Sequence, residues 1–176
     1  MTELSTVSVT SKLWISRVIR NNTMNSPVID GFCFISGNQI VALPASLFES
    51  VPRLSQLRLD NNKLSVLSSR LFHPLTRLVL MDLSNNALQA SCDSCLSRKS
   101  FKGLGSLIVL NLSRNQISSV QPEMFSDLTN LQSLDMSANT INRLTTGKNS
   151  IYKRVFAVTQ LQSDNEIISL ISLLLY

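Results

Sequence analysis

Apolar residues recur along this chain in a fixed order that neither a simple helix nor a simple alternating strand produces. Leu54, Leu57, Leu59, Leu64, Leu67, Phe72 and Leu75 set the order, with Asn62 as its constant polar member. The series returns as Leu78, Met81, Leu83, Asn86 and Leu88, then Phe101 and Leu104 after an insertion. It returns as Leu107, Leu110, Leu112, Asn115, Ile117, Val120, Phe125 and Leu128, and again as Leu131, Leu134, Met136, Asn139, Ile141 and Leu144. A weaker copy starting at Asp30 keeps Cys33, Ile35, Asn38, Ile40, Leu43, Phe48 and Val51. Starts at 30, 54, 78, 107 and 131 are separated by 24, 24, 29 and 24 residues. One L-x-x-L-x-L arises in any amphipathic stretch. Five in register, each with Asn at the same offset, define a repeat.

The spacing predicts the local structure. In Leu57-Arg58-Leu59 the apolar residues sit two apart, so both face inward from a short strand. Stacked copies place these strands about 4.8 Å apart in a parallel sheet. The Asn then turns the chain out of the sheet. Its amide donates and accepts, so a ladder of Asn38, Asn62, Asn86, Asn115 and Asn139 can satisfy buried backbone groups in the turns. Leu64, Leu67, Phe72 and Leu75 fill each coil from the other side. No single repeat buries its own apolar stripe, so stability must come from contacts between neighbours. The expected division is a degenerate N-terminal coil or leader over 1–29, the array over 30–144, and a degenerate C-terminal repeat or tail over 145–176. Leu4, Val7, Val9 and Trp14 roughly echo the pattern at one end. At the other, Asn165, Ile167 and Leu170 keep half of it, with Gln160 and Gln162 where core residues are expected.

These residues resemble the leucine-rich repeats, whose pattern is L-x-x-L-x-L-x-x-N-x-L. The resemblance covers about residues 30 to 144. It implies an α/β repeat fold: a curved leucine-rich-repeat solenoid with a parallel β-sheet on the concave face and loops and short helical turns on the convex face. The 24-residue period with a late Phe (Phe48, Phe72, Phe125, and Phe101 after the insertion) looks like the typical subclass. That subclass occurs mostly in extracellular proteins such as Toll-like receptors, slit-like guidance proteins and proteoglycan cores. The chain departs from it at both ends, where no cysteine-rich cap flanks the array.

Composition narrows the picture without redirecting it. With 44% hydrophobic and 15% charged residues in 176, the chain can form one folded domain and is not a disordered segment. The net charge of +5 is spread out, with no basic run longer than Arg98-Lys99, so it reads as a solvated surface and no nucleic-acid partner is expected. The apolar run Ile167 to Tyr176 has half the ~20 residues a membrane helix needs. Any membrane attachment is expected from sequence outside this chain. The first twenty residues contain Lys12, Arg17 and Arg20 but no unbroken apolar stretch, so no secretory signal is read there.

Candidate chemistry is sparse. The single histidine, His73, falls beside Pro74 at a convex loop offset, with no nucleophile elbow near it, so no catalytic residue is assigned. No Gly-rich phosphate cradle appears, and no cofactor is expected. Cys92 and Cys95 lie in the insertion. A zinc site there would need Cys33, at a core offset, and His73, in a loop, so no metal site is expected. A redox pair lacks its β-α-β context, which leaves a local disulfide or two plain thiols. Sequons at Asn21-Asn22-Thr23 and Asn111-Leu112-Ser113 make Asn21 and Asn111 possible glycosylation sites, although the second arises from the repeat itself.

What varies between copies marks the working surface. Residues between the core positions of each strand point to the opposite face, and in the central column these are Phe34, Arg58, Asp82, Asn111 and Asp135. Phe32, Gln56, Leu80, Val109 and Ser133 form the column before it, and Ser36, Asp60, Ser84, Ser113 and Ser137 the column after. This mixture suits a protein or peptide partner. The expected function is a non-enzymatic recognition module of an extracellular or receptor-ectodomain protein. The alternative is an intracellular scaffold regulating an enzyme complex, which the unpaired cysteine and missing signal favour.

Overall fold

The computed structural model describes residues 28–29, 31–89, 96, 100–120, 122–141 and 143–144. Five three-residue strands carry the array: Phe32–Phe34 (β2), Gln56–Arg58 (β3), Leu80–Asp82 (β4), Val109–Asn111 (β5) and Ser133–Asp135 (β7). They pair in parallel in that order, in the register the repeat requires: Cys33↔Leu57, Leu57↔Met81, Met81↔Leu110 and Leu110↔Leu134. Each middle residue is buried, because alternation along a strand sends its side chain inward between two outward ones. The ladder runs past the strand ends. Leu59 N donates to Asp82 O and Asn61 N to Ser84 O, with equivalents in the coils of β2, β4 and β5.

Each coil returns through tight turns. Leu75 N donates to Phe72 O and Leu78 N to Leu75 O, and the Phe101 and Phe125 coils repeat this. Three residues per turn eclipse side chains at i and i+3, so Phe72, Leu75 and Leu78 all point into the core. All three are fully buried. The phenyl rings stack from coil to coil, Phe48 on Phe72 at 6.0 Å and Phe101 on Phe125 at 5.9 Å between centroids. Among the described residues the helical content is one 3-10 turn, Pro122–Phe125. A second small sheet pairs Ser119–Val120 (β6) with Arg143–Leu144 (β8) in parallel on the next side of the coil.

The asparagine ladder forms as the repeat predicts. Asn86 Nδ2 donates to Leu83 O and Ser84 O in its own coil and to Leu59 O in the preceding one, while its Oδ1 accepts from Leu64 N. Asn62, Asn115 and Asn139 make the corresponding bonds. Asn38, on the first rung, donates to Ile35 O and Ser36 O of its own coil. No buried side-chain polar atom among the described residues lacks a partner.

Three features were not read from the pattern. First, Val28–Ile29 (β1) pairs antiparallel with β2, Val28↔Cys33 and Ile29↔Phe32, leaving residues 30 and 31 as the connection. Gly31 has φ 87 there, which a glycine adopts without strain. The Asp-Gly pair is a hairpin signal. This strand takes the edge of β2 that a preceding coil would have used; residues 1–27, where that coil was expected, lie outside the described residues. Second, the position before each ladder Asn is left-handed: Gly37, Asn61, Asn85, Arg114 and Ala138 have φ of 69, 56, 51, 54 and 52. Third, Leu96 is buried and takes the place that Leu67 holds one coil earlier. Its N–H donates to Gln89 O.

Two predictions follow from this architecture. Leu83→Ala, which empties a fully buried site, should destabilise by about 2–5 kcal/mol, and Asn86→Ala by roughly 1–3 kcal/mol through stranded backbone groups. Asp82→Asn should stay within about 0.5 kcal/mol. Denaturant midpoints check the order; equal midpoints for Leu83→Ala and Asp82→Asn would mean the strand register is wrong. Separately, Asn85→Gly should be near neutral and Asn85→Val should cost about 1–2 kcal/mol, since a β-branched residue is strained at positive φ. Thermal melts of the two variants read the difference.

Candidate binding surface

The strand register brings the predicted columns together on one face. Phe34, Arg58, Asp82, Asn111 and Asp135 are successive partners across β2, β3, β4, β5 and β7. Phe32, Gln56, Leu80, Val109 and Ser133 line up beside them, all partly exposed.

The two ends of this face differ chemically. At the β2 end, Phe34 is 49% exposed, large for a residue of its type. Its ring stacks on that of Phe32 at 6.1 Å, and the Arg58 guanidinium carbon lies 5.8 Å from its centroid. A cation over an aromatic face is attracted by the ring quadrupole. No ion pair engages Arg58 among the described residues. The nearby Asp60 carboxylate accepts instead from Ser36 Oγ at 2.5 Å and Asn61 Nδ2 at 2.6 Å, and Asn85 Nδ2 continues the chain to Asn61 Oδ1.

Toward the other end, three column residues have a second task that spacing alone did not show. Asp82 Oδ1 accepts from Ser84 N, Asn111 Oδ1 from Ser113 N and Oγ, and Asp135 Oδ1 from Ser137 N. Each is a short polar side chain bonding the backbone two residues on, which closes the strand into its turn. Asp and Asn alternate freely here because the acceptor oxygen is common to both. The other carboxylate oxygen of Asp82 and of Asp135 makes no hydrogen bond among the described residues.

The other candidates are dispersed. His73 and Arg70 are exposed in the convex turns, remote in the coil from the sheet. Cys33 is fully buried in β2, where desolvation pushes its thiol up to about 12. Cys92, Cys95 and Asn21 lie outside the described residues. Among those described, no group of His, Cys, Asp or Glu could hold a metal ion, and no helix is long and apolar enough to cross a membrane.

Residues 34–88 and 94–141 match the family described as leucine rich repeat, and the gap between the two segments falls in the insertion. No curated protein sequence matches the chain. Among solved structures, the Toll–Spatzle complex, described as a hub in Drosophila development and innate immunity, aligns with TM-score 0.56 and 26% identity over 62% of this chain and 14% of that one. The leucine-rich repeat domain of APL1B aligns with TM-score 0.53 and 19% identity, over 84% of this chain and 37% of its own. That of APL1 aligns with TM-score 0.56 and 22% identity, over 65% and 28%. This chain therefore spans well under half the length of each.

In a Cys92→Ser, Cys95→Ser background, Cys33 should label slowly with a thiol reagent at pH 8. A shift of the thiol to about 12 lowers the thiolate fraction about a thousandfold, and burial slows access further. In denaturant the rate should rise to that of a free thiol. Rapid labelling of the folded chain would put Cys33 outside the core.

Proposed function

This chain belongs to the leucine-rich repeat family, and we propose that it is a protein-binding module whose outward sheet face receives a protein or peptide partner outside the cell. The observation that carries this reading is the Phe34–Arg58 pair. A phenyl ring left 49% exposed, stacked on Phe32 and flanked by a guanidinium, is an aromatic anchor. Aromatic and Arg residues dominate interface energies because they bury much area at little entropic cost. Arg58, Asp82 and Asp135 add charge along the same column, with Asn111 between the two acids.

The family is generally protein-binding and typically non-enzymatic, and the face offers no nucleophile–base pair, so we read this chain as a binding module that is not an enzyme and uses no cofactor. The similarity to Toll in its complex with Spatzle, together with the 24-residue period and stacked Phe, supports an extracellular, receptor-like setting. In that setting a Cys92–Cys95 disulfide and a glycan at Asn21 are possible, while a glycan at Asn111 would occupy the face that receives the partner. Cys33, unpaired among the described residues, favours the second reading, an intracellular scaffold regulating an enzyme complex. Mass spectrometry of the native protein separates them, since an oxidised cysteine pair and occupied sequons occur only in the first.

The test of the surface is a screen of the chain against arrayed secreted proteins, followed by variants. Arg58→Glu should weaken binding to the partner found by at least about tenfold, or 1.4 kcal/mol. Asp82→Asn should weaken it by less, because that change keeps the turn acceptor and removes only the charge. Both should leave the thermal midpoint nearly unchanged, and Arg70→Glu and His73→Ala should still bind. Loss of binding in the convex pair with none in the concave pair would move the function to the loop side.

A further inference from the structure

The sheet face is chemically polar along the stacking direction, and we infer that it takes one extended segment of a partner, with an acidic residue at Arg58 and a basic residue four positions away at Asp135. This deepens the reading above and rests on it.

The width of the face limits the occupant. Each strand is three residues long, about 10 Å at 3.3 Å per residue, which accommodates one chain segment lying across the strands. The charges set its polarity. Arg58 has its guanidinium turned over Phe34, toward β2 and away from Asp82 on β4, and no ion pair holds it among the described residues. An incoming carboxylate can pair with it while an apolar neighbour covers the Phe34 ring. At the other end, Asp135 has one oxygen committed to Ser137 N and the other without a partner among the described residues, so a Lys or Arg is its complement. Partly exposed Leu80 and Val109 lie between, beside the charged column.

The separation then selects the conformation. From β3 to β7 is three steps in the sheet, about 14 Å between strand axes at 4.8 Å per step, the separation that applies when the flexible Arg58 side chain swings from Phe34 to an acid above its own strand. In an extended segment, residues i and i+4 lie about 13 Å apart and point to the same side. A helix rises about 1.5 Å per residue, so 14 Å needs nine or ten residues. Those positions are rotated well off a shared face, and i+11, which does share it, overshoots at about 16.5 Å. The extended segment fits both distance and facing.

A phage-displayed library of random linear twelve-residue peptides, selected on the whole chain, tests this directly. Enriched peptides should carry Asp or Glu four positions from Lys or Arg, with an aromatic or aliphatic residue near the acid. The leading peptide, measured by fluorescence anisotropy, should bind Arg58→Glu at least tenfold more weakly and Asp135→Asn a few-fold more weakly. Arg70→Glu should be unaffected. Replacing the peptide's acid with Lys should restore binding to Arg58→Glu, a rescue that general damage to the face cannot give. Circular dichroism of each variant confirms that it folds. The inference is overturned if no peptide is enriched, if enriched peptides lack this spacing, or if the charge exchange fails to rescue. Should the protein partner from the array still depend on Arg58 in those cases, the binding face stands and only the extended, charge-polarised occupant is wrong. If that partner ignores the concave variants altogether, the reading of the face itself fails.

Discussion

One asparagine amide per coil ties each turn to the coil before it, and the rest of the structure depends on that tie. A carbonyl turned out of a three-residue strand has no sheet partner, and leaving such a group buried and unpaired costs about 1–3 kcal/mol. Asn115 meets this need by donating to Leu112 O and Ser113 O beneath it and to Leu83 O in the previous coil, while accepting from Leu88 N. The amide thus fixes the vertical register between coils as well as the turn within each one. Apolar packing alone would tolerate a slip, since one Leu fits much as the next does. The ladder does not, and so the outward columns line up.

That tie also explains why the insertion does no harm to the sheet. The β4-to-β5 coil carries five extra residues, yet Met81 still pairs with Leu110, and Asn115 reaches Leu83 O across 32 residues at 3.0 Å. Both anchors of the coil, the strand and the Asn turn, precede the extra length. Leu96 N donates to Gln89 O, and the buried Leu96 side chain resumes the core pattern. Sequence alone showed where the period lengthened, but Leu96 escaped notice because the next core residue was sought at Phe101.

Legibility followed physical redundancy. Strand positions, the Asn ladder and the stacked Phe were all readable, since packing demands the same residue type in every coil. The left-handed row was not, because φ is the only requirement there and Gly37, Asn61, Arg114 and Ala138 meet it with unlike side chains. The antiparallel β1 was missed for a related reason. Its signal is a two-residue turn, Asp-Gly, that sits where the weakest repeat begins and was read as part of the repeat. On the candidate face, the five central residues do align across the strands, but sequence assigned none of them a task within the fold. Asp82, Asn111 and Asp135 each give an oxygen to a turn N–H, a role that becomes visible only when the strand is followed into its turn.

This division of labour changes how the face should be interpreted. An Asp that closes a turn is explained by the fold, so its presence alone says little about a partner; Asn111 would serve equally well, and does in its own coil. Phe34 and Arg58 have no such explanation. At the same column position the fold accepts a small polar acceptor, yet the first two coils carry a large aromatic and a cation, one resting on the other. Holding a phenyl ring half in water forgoes the burial that places every other described Phe but its neighbour Phe32 in the core or against it. A feature that costs the isolated fold stability and repairs nothing within it points outward, to a surface completed by something the chain binds.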